Sequence, residues 1–327
     1  MINNMRKLVA VTSMLACAFA ITPSAYSAEA YPTRPIKLIV PFTPGGGVDA
    51  MARLLSDALT AKFGWNIVVE NRPGAGGTVG MGVLARAEAD GYTMAIGQTS
   101  NLSINPSLYK DITYNVAKDF TPIASVASQP MVLCVLADKP YKTVAEFIAY
   151  GKANPGKLSI SNAGRGTVGD ITGRYFAKEA GLDILHVPYK GAAPAMTDLL
   201  GGQVDAMFAS APTALPQLKN PKIRMLAIST SQSISQFPNV PALAETLPGF
   251  ESASLTGILV PAGSPQSAID ALSSHIIEVI KSKELQAKIT EQGNVAVVGS
   301  AQDYAKTVKA DSAKWSKIIK ENNLQIN

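Results

Sequence analysis

Residues 36–59 read IKLIVPFTPGGGVDAMARLLSDAL, and this stretch decides the fold class. Ile36–Phe42 is apolar and partly β-branched, as a buried strand requires, and Pro44-Gly45-Gly46-Gly47 breaks it. From Val48 onward the apolar residues Val48, Met51, Ala52, Leu55 and Leu59 recur at helical spacing. A strand, a glycine-rich turn and an amphipathic helix in that order are the opening half of a parallel βαβ unit.

The same alternation continues outward. Ile67–Glu70 is a strand, Asn71–Gly77 a turn-rich loop, Thr78–Ala87 a helix and Thr93–Gly97 a further strand. A second series starts near Met131. Thr143-Val144-Ala145-Glu146 has capping-box spacing, and strand Leu158–Ser161 runs into Asn162-Ala163-Gly164-Arg165-Gly166-Thr167, with a helix to about Ala180. Strand Ile184–Pro188, a helix near Ala193–Leu200, and strands Asp205–Ala209 and Arg224–Ile228 follow. Gly257–Val260 is a strand, and Ser264-Pro265 opens helices over roughly Pro265–Ser282, Lys283–Gln292 and Ala301–Asn322. Two α/β series, each with a glycine-rich loop after a strand, predict two lobes with a cleft between them.

Those two loops carry the candidate chemistry. A glycine turn at a helix start lets backbone approach a ligand, and the first helical N–H groups lie unpaired at a partially positive end. Such a loop binds carboxylate or phosphate without a lysine. The first loop lacks the lysine and hydroxyl of a P-loop and has no GxGxxG, which removes support for a nucleotide. Asp49 falls in the first helical turn, where it favours the dipole; it supports the loop rather than meeting an anion. In the second loop Gly164 and Gly166 free the backbone, and Thr167 offers a hydroxyl and an amide. Arg165 is placed to pair with an acid group or to sit in solvent. Asp170 and Arg174 read as an i,i+4 surface ion pair, and Tyr189-Lys190-Gly191 as a polar loop at a strand end.

Catalytic patterns are scarce. His186 and His275 are the chain's 2 histidines, and GxSxG, HExxH and CxxC are absent, so neither an enzyme nor a metal site is expected. The N-terminus has the layout of a cleaved signal peptide over 1–28: Arg6 and Lys7, the apolar run Leu8–Ile21, then Pro23 and small residues. That run is shorter than the roughly 20 residues that span a bilayer. Met14–Cys17 is a poor lipobox, because the apolar run continues past the cysteine. Losing Arg6 and Lys7 takes the 29 basic residues to 27 against 24 acidic ones, an excess of three. No basic cluster marks a nucleic-acid face. Cys134 is then the one cysteine left, so no internal disulfide forms; inside MVLCVLA it reads as a small buried hydrophobe.

Beyond single loops, RPIKLIVPFTPGGGVDAMAR, VVENRPGAGGTVG, DGYTMAIGQTSNLSINPSLY, HVPYKGAAPAMTDLLGGQVDAMF and FPNVPALAETLPGFE occur in one order over nearly the whole chain. Together they resemble the tripartite tricarboxylate transporter receptors, the Bug or TctC-like family of periplasmic solute-binding proteins. The resemblance implies a two-lobed α/β flytrap (the type II-like arrangement), each lobe a mixed sheet flanked by helices. It places 31–130 plus 252–327 in lobe 1 and 131–251 in lobe 2. It further implies a periplasmic monomer without cofactor that captures a small di- or tricarboxylate, acidic amino acid or aromatic acid and delivers it to membrane permease subunits. A receptor serving a signalling partner is the alternative. In the family two loops pinch one carboxylate, and these match Phe42–Asp49 and Gly164–Thr167 here. The expected ligand-binding set is Phe42, Thr43, Gly45, Gly46, Gly47, Val48, Asp49, Gly76, Gln98, Thr99, Gly164, Arg165, Gly166, Thr167, Asp170, Tyr189, Lys190 and Asp205. One departure stands out: where many relatives read Gly-Ser-x-x-His, this chain has Gly166-Thr167-Val168-Gly169-Asp170.

Overall fold

The computed structural model describes residues 31–324, so the proposed signal peptide lies outside the described residues. The described residues from Arg34 onward form one compact unit. Within that unit the first half starts with β1 (Ile36–Val40), α1 (Gly47–Phe63), β2 (Ile67–Asn71), α2 (Thr78–Ala85) and β3 (Thr93–Gln98). β1 pairs in parallel with both β2 and β3, as short strand–helix crossovers dictate. Ser100–Ile104 forms a π-helical turn leading into α3 (Asn105–Leu108), which the sequence pattern did not predict; α4 (Val116–Asp119) precedes the next strand.

That strand, β4 (Phe120–Leu136), begins well before Met131, near which the sequence places the start of the second series. Pro122 and Pro130 conceal it, since proline demotes a strand reading. The structure accommodates Pro122 at a register shift between Pro122 and Ala124, and a second shift follows between Ser125 and Ala127. β4 is shared by two sheets. From Phe120 to Pro130 it runs antiparallel to β9 (Ala253–Pro261), while β10 (Val295–Gly299) joins along Ser125–Ser128. From Met131 it pairs with β7 (Ala206–Ser210) and β8 (Ile223–Ile228). The second sheet continues in parallel from β7 to β5 (Leu158–Asn162) and β6 (Ile184–Pro188). The return crossing lies beside the first: the Ser229 amide donates to Met131 O at 2.8 Å and the Ser252 amide to Ser229 O at 2.9 Å.

In the second half, α5 (Val144–Ala153) opens with Thr143 Oγ1 accepting from the Glu146 amide. The reciprocal bond reaches Lys142 N rather than Thr143 N, a one-residue variation on the expected box. α6 (Val168–Ala180), α7 (Ala192–Leu200) and α8 (Ala211–Ala214) complete that half. The chain then returns through α9 (Gln266–Lys281), α10 (Lys283–Glu291) and α11 (Ala301–Glu321).

The helix α11 does not stay with one half. Its buried Trp315 and Ile319 belong to the cluster of Phe147, Phe176, Phe208 and Phe250, and Trp315 meets the Tyr175 ring edge-on at 6.4 Å. Apolar residues on α11 thus pack into one cluster with aromatic residues of the middle segment. Cys134 is fully buried, and burial pushes its thiol up to about 12, as a packing residue behaves. No described helix is long and apolar enough to cross a membrane.

Candidate functional site

The loops after β1, β2, β5 and β6 and the end of β7 meet around one cavity of about 530 Å³, at the carboxyl ends of the parallel strands. Ligands bind there in open α/β sheets, and the volume suits a small organic molecule. Two of the loops, those leading into α1 and α6, are held by the same device.

In the loop before α1, Gly45 adopts φ 77° and its amide donates to Asp49 Oδ2 at 3.0 Å. Arg53 Nε donates to the same oxygen at 3.0 Å, and Asn71 Nδ2, at the end of β2, donates to Asp49 Oδ1 at 2.8 Å. Asn71 also reaches Phe42 O at 3.0 Å, pinning the loop's other end. Burial alone would raise the Asp49 carboxyl, but the bonds from Arg53, Gly45 and Asn71 outweigh it and hold the group below its usual range. Gly46 caps the helix without a side chain. The first backbone bond is Ala50 N to Gly46 O at 2.9 Å, which leaves the Gly47 and Val48 amides unpaired at the cavity.

The loop before α6 repeats the arrangement. Gly166, at φ 73°, donates its amide to Asp170 Oδ2 at 3.0 Å. Asn162 Nδ2, at the end of β5, and Arg174 Nε each donate to Asp170 Oδ1 at 3.0 Å. Gly45–Asp49–Arg53 and Gly166–Asp170–Arg174 therefore share one spacing, each with an asparagine at the preceding or neighbouring strand end. Asp170 is wholly buried, which corrects the reading of a surface ion pair. Burial is the largest influence on it and raises its carboxyl despite Arg174 and the Gly166 amide. Both donors expected of Thr167 are occupied: its hydroxyl donates to Gly164 O at 2.8 Å and its amide to the same oxygen at 3.2 Å. The Val168 and Gly169 amides are the ones left at this helix start.

Of the expected set, Phe42, Thr43, Gly46, Gly47, Val48 and Gly76 line the cavity from one side. Gln98, Gly164, Arg165, Thr167, Tyr189 and Lys190 complete it. Gly45, Asp49, Gly166 and Asp170 stand behind the loops as their supports and are not in the lining. Thr99 turns away, accepting from the Leu255 amide at 2.9 Å and donating to Asp311 at 3.3 Å. Asp205 precedes β7, at the amino end of a parallel strand and hence opposite the cavity; it takes Lys139 Nζ at 2.9 Å and the Ser159 amide at 3.0 Å.

The sequence reading missed Gln129, Met131, Met207, Phe208 and Ser210, all in the lining. Met207, Phe208 and Ser210 lie toward the carboxyl end of β7, a signal that could have found them. Gln129 and Met131 had none, because they flank the point where β4 changes sheets. The charged side chains in the lining are Arg165 and Lys190, both exposed at its rim; no Asp or Glu contributes. Neither histidine lines it. Among the described residues no cluster of His, Cys, Asp and Glu could hold a metal ion.

Two sheets sharing a crossing strand, with two helix starts turned on a ligand-sized cavity, define a two-lobed solute-binding protein. The chain belongs to the tripartite tricarboxylate transporter receptor family, whose profile matches residues 51–324. It is 33% identical to Protein BugT of Bordetella pertussis (strain Tohama I) across 99% of each chain. Among solved structures, R. palustris Rpa4515 with adipate superposes with a TM-score of 0.86 at 33% identity, covering 90% of this chain and 98% of that one. MatC (Rpa3494) from Rhodopseudomonas palustris, with bound malate, gives 0.83 at 28% identity, over 88% and 100% of the two chains.

Proposed function

We propose that this protein captures a small carboxylate in the periplasm and delivers it to the permease subunits of a tripartite tricarboxylate-type transporter. The observation that carries this reading is the pair of loops 42–49 and 164–170, which bring unpaired helix-start amides to one cavity lined by no carboxylate. An anion satisfies those amides and gains from both helix ends. The adipate and malate held by the two structural neighbours support the same chemistry. The lobes are assigned as 31–130 plus 252–327 and 131–251, the end of α11 excepted, and they close by a hinge at the paired crossings beside Pro130 and Ser252.

Thermal shift and calorimetry against mono-, di-, tri- and aromatic carboxylates test this. A ligand at 100 times its dissociation constant adds about 2.7 kcal/mol of stability. Silence across the panel sinks the proposal.

A further inference from the structure

Gln129 and Gln98 form a buried amide pair in the cavity lining, 1% and 6% exposed. The two amides are joined in a relay. Ser100 Oγ donates to Gln98 Oε1 at 3.1 Å, so Gln98 turns its Nε2 to Gln129 Oε1 at 3.2 Å. Gln129 is left presenting Nε2, which has no acceptor and lies 3.3 Å from where a β-carbon on Gly47 would stand. A buried N–H without a partner carries a desolvation penalty that a bound acceptor removes. This donor sits against the start of α1, whose own free amides await an anion. The Gly47 turn packs over it.

Resting on the carboxylate-receptor reading, we infer that Gln129 is a specificity-determining residue that donates to an oxygen beside the pinched carboxylate, selecting hydroxy, oxo or unsubstituted acids and rejecting amino acids. The discrimination has two sources. A 2-hydroxyl or 2-oxo group supplies the acceptor Nε2 lacks. A 2-ammonium group supplies only more donors, and the lining contains no Asp or Glu to balance its charge, because Asp49 and Asp170 are spent behind their loops. Of the acids the family resemblance admits, acidic amino acids are thereby removed. Met131, Met207 and Phe208 favour an apolar body for what remains.

The test is calorimetry on matched trios: succinate, malate and aspartate; glutarate, 2-hydroxyglutarate and glutamate; phenylacetate, mandelate and phenylglycine. In at least one trio the hydroxy acid should bind ten or more times more tightly than its amino counterpart. Gln129→Met should shrink the preference for hydroxy over unsubstituted acid at least fivefold, and Gln129→Glu should shift selectivity toward the amino acid. Should Gln129→Met not fold by circular dichroism, Gln98→Met, which frees Gln129 to rotate, should weaken the same preference. An amino acid binding as tightly as its hydroxy partner, or a preference unmoved by these variants, overturns the inference while leaving the receptor reading intact. Failure of every acid on the wild-type protein overturns both.

Discussion

The loops before α1 and α6 hold the same Gly–Asp–Arg device at the same spacing, yet they differ in what surrounds it. Asp49 pairs with an Arg53 whose side chain is 52% exposed, whereas Asp170, fully buried, pairs with an Arg174 that is 25% exposed. The carboxyl groups consequently shift in opposite directions, Asp49 down and Asp170 up. The helix starts differ too. Gly46 caps α1 with bare backbone, while Thr167 caps α6 with its hydroxyl, which accepts from the Asp170 amide at 3.3 Å. Both carboxylates are buried, but the first jaw's arginine opens to solvent while the second's is largely covered. A shared local motif sets loop shape; burial sets how much stability depends on it.

The largest expected effect follows from that difference. Asp170→Ala strands Arg174, Asn162 and the Gly166 amide in a buried setting and should destabilise the fold by about 3–5 kcal/mol. Asp49→Ala should cost about 1–3 kcal/mol. Urea midpoints measure both, and equal losses would break the comparison.

Acid should then weaken the second jaw's neighbourhood through His186, which lies beside Gly173 of α6. Burial and then Arg174 lower its pKa to about 4 from 6.5. Between those values the unfolded chain binds a proton that the fold refuses, so stability falls as pH drops through this window, by up to about 3 kcal/mol. Asp170 opposes this as pH falls toward the ordinary carboxylate range, because its raised carboxyl takes up a proton first in the folded state. Comparing urea unfolding of wild type and His186→Gln from pH 7 to 4 isolates the histidine. An identical pH slope in the two proteins would exonerate it.

Smaller still is the contrast between glycines. Gly166 sits at φ 73° with a would-be β-carbon 2.7 Å from Tyr109 Oη, so Gly166→Ala should cost about 1–3 kcal/mol in stability. Gly46 has φ −82° and meets nothing closer than Thr43 O at 3.5 Å. Gly46→Val should leave the melting temperature almost unchanged and weaken ligand binding. A melting temperature that falls equally for both would erase the contrast. At the rim, Arg165→Ala should lose about 1.4 kcal/mol of binding, tenfold, with the loss shrinking in salt. Unchanged affinity would return Arg165 to the solvent.

Both glycine loops were legible in the sequence because each interrupts an apolar strand immediately before a helical stripe. Their supports were legible only in part. Asp49 could be placed in the first turn, but nothing local says that Asp170 is buried, since that depends on what packs over α6. The repeated Gly-x-x-x-Asp-x-x-x-Arg spacing was present at 45–53 and 166–174 and was overlooked. β4 was hidden by its two prolines, and β10 by its shortness and exposed valines. Gln129 joined the site through a crossing that spans distant parts of the chain, which no local pattern encodes.

Trp315 gives the chain's last helix a meaning in time as well as in space. During synthesis the middle segment appears well before α11, yet its core includes Trp315 and Ile319. That core therefore cannot be completed until the chain has been made through Trp315 and Ile319. Ending the chain before Trp315 would remove the final piece of a core whose other aromatic residues, up to Phe250, were made more than sixty residues earlier.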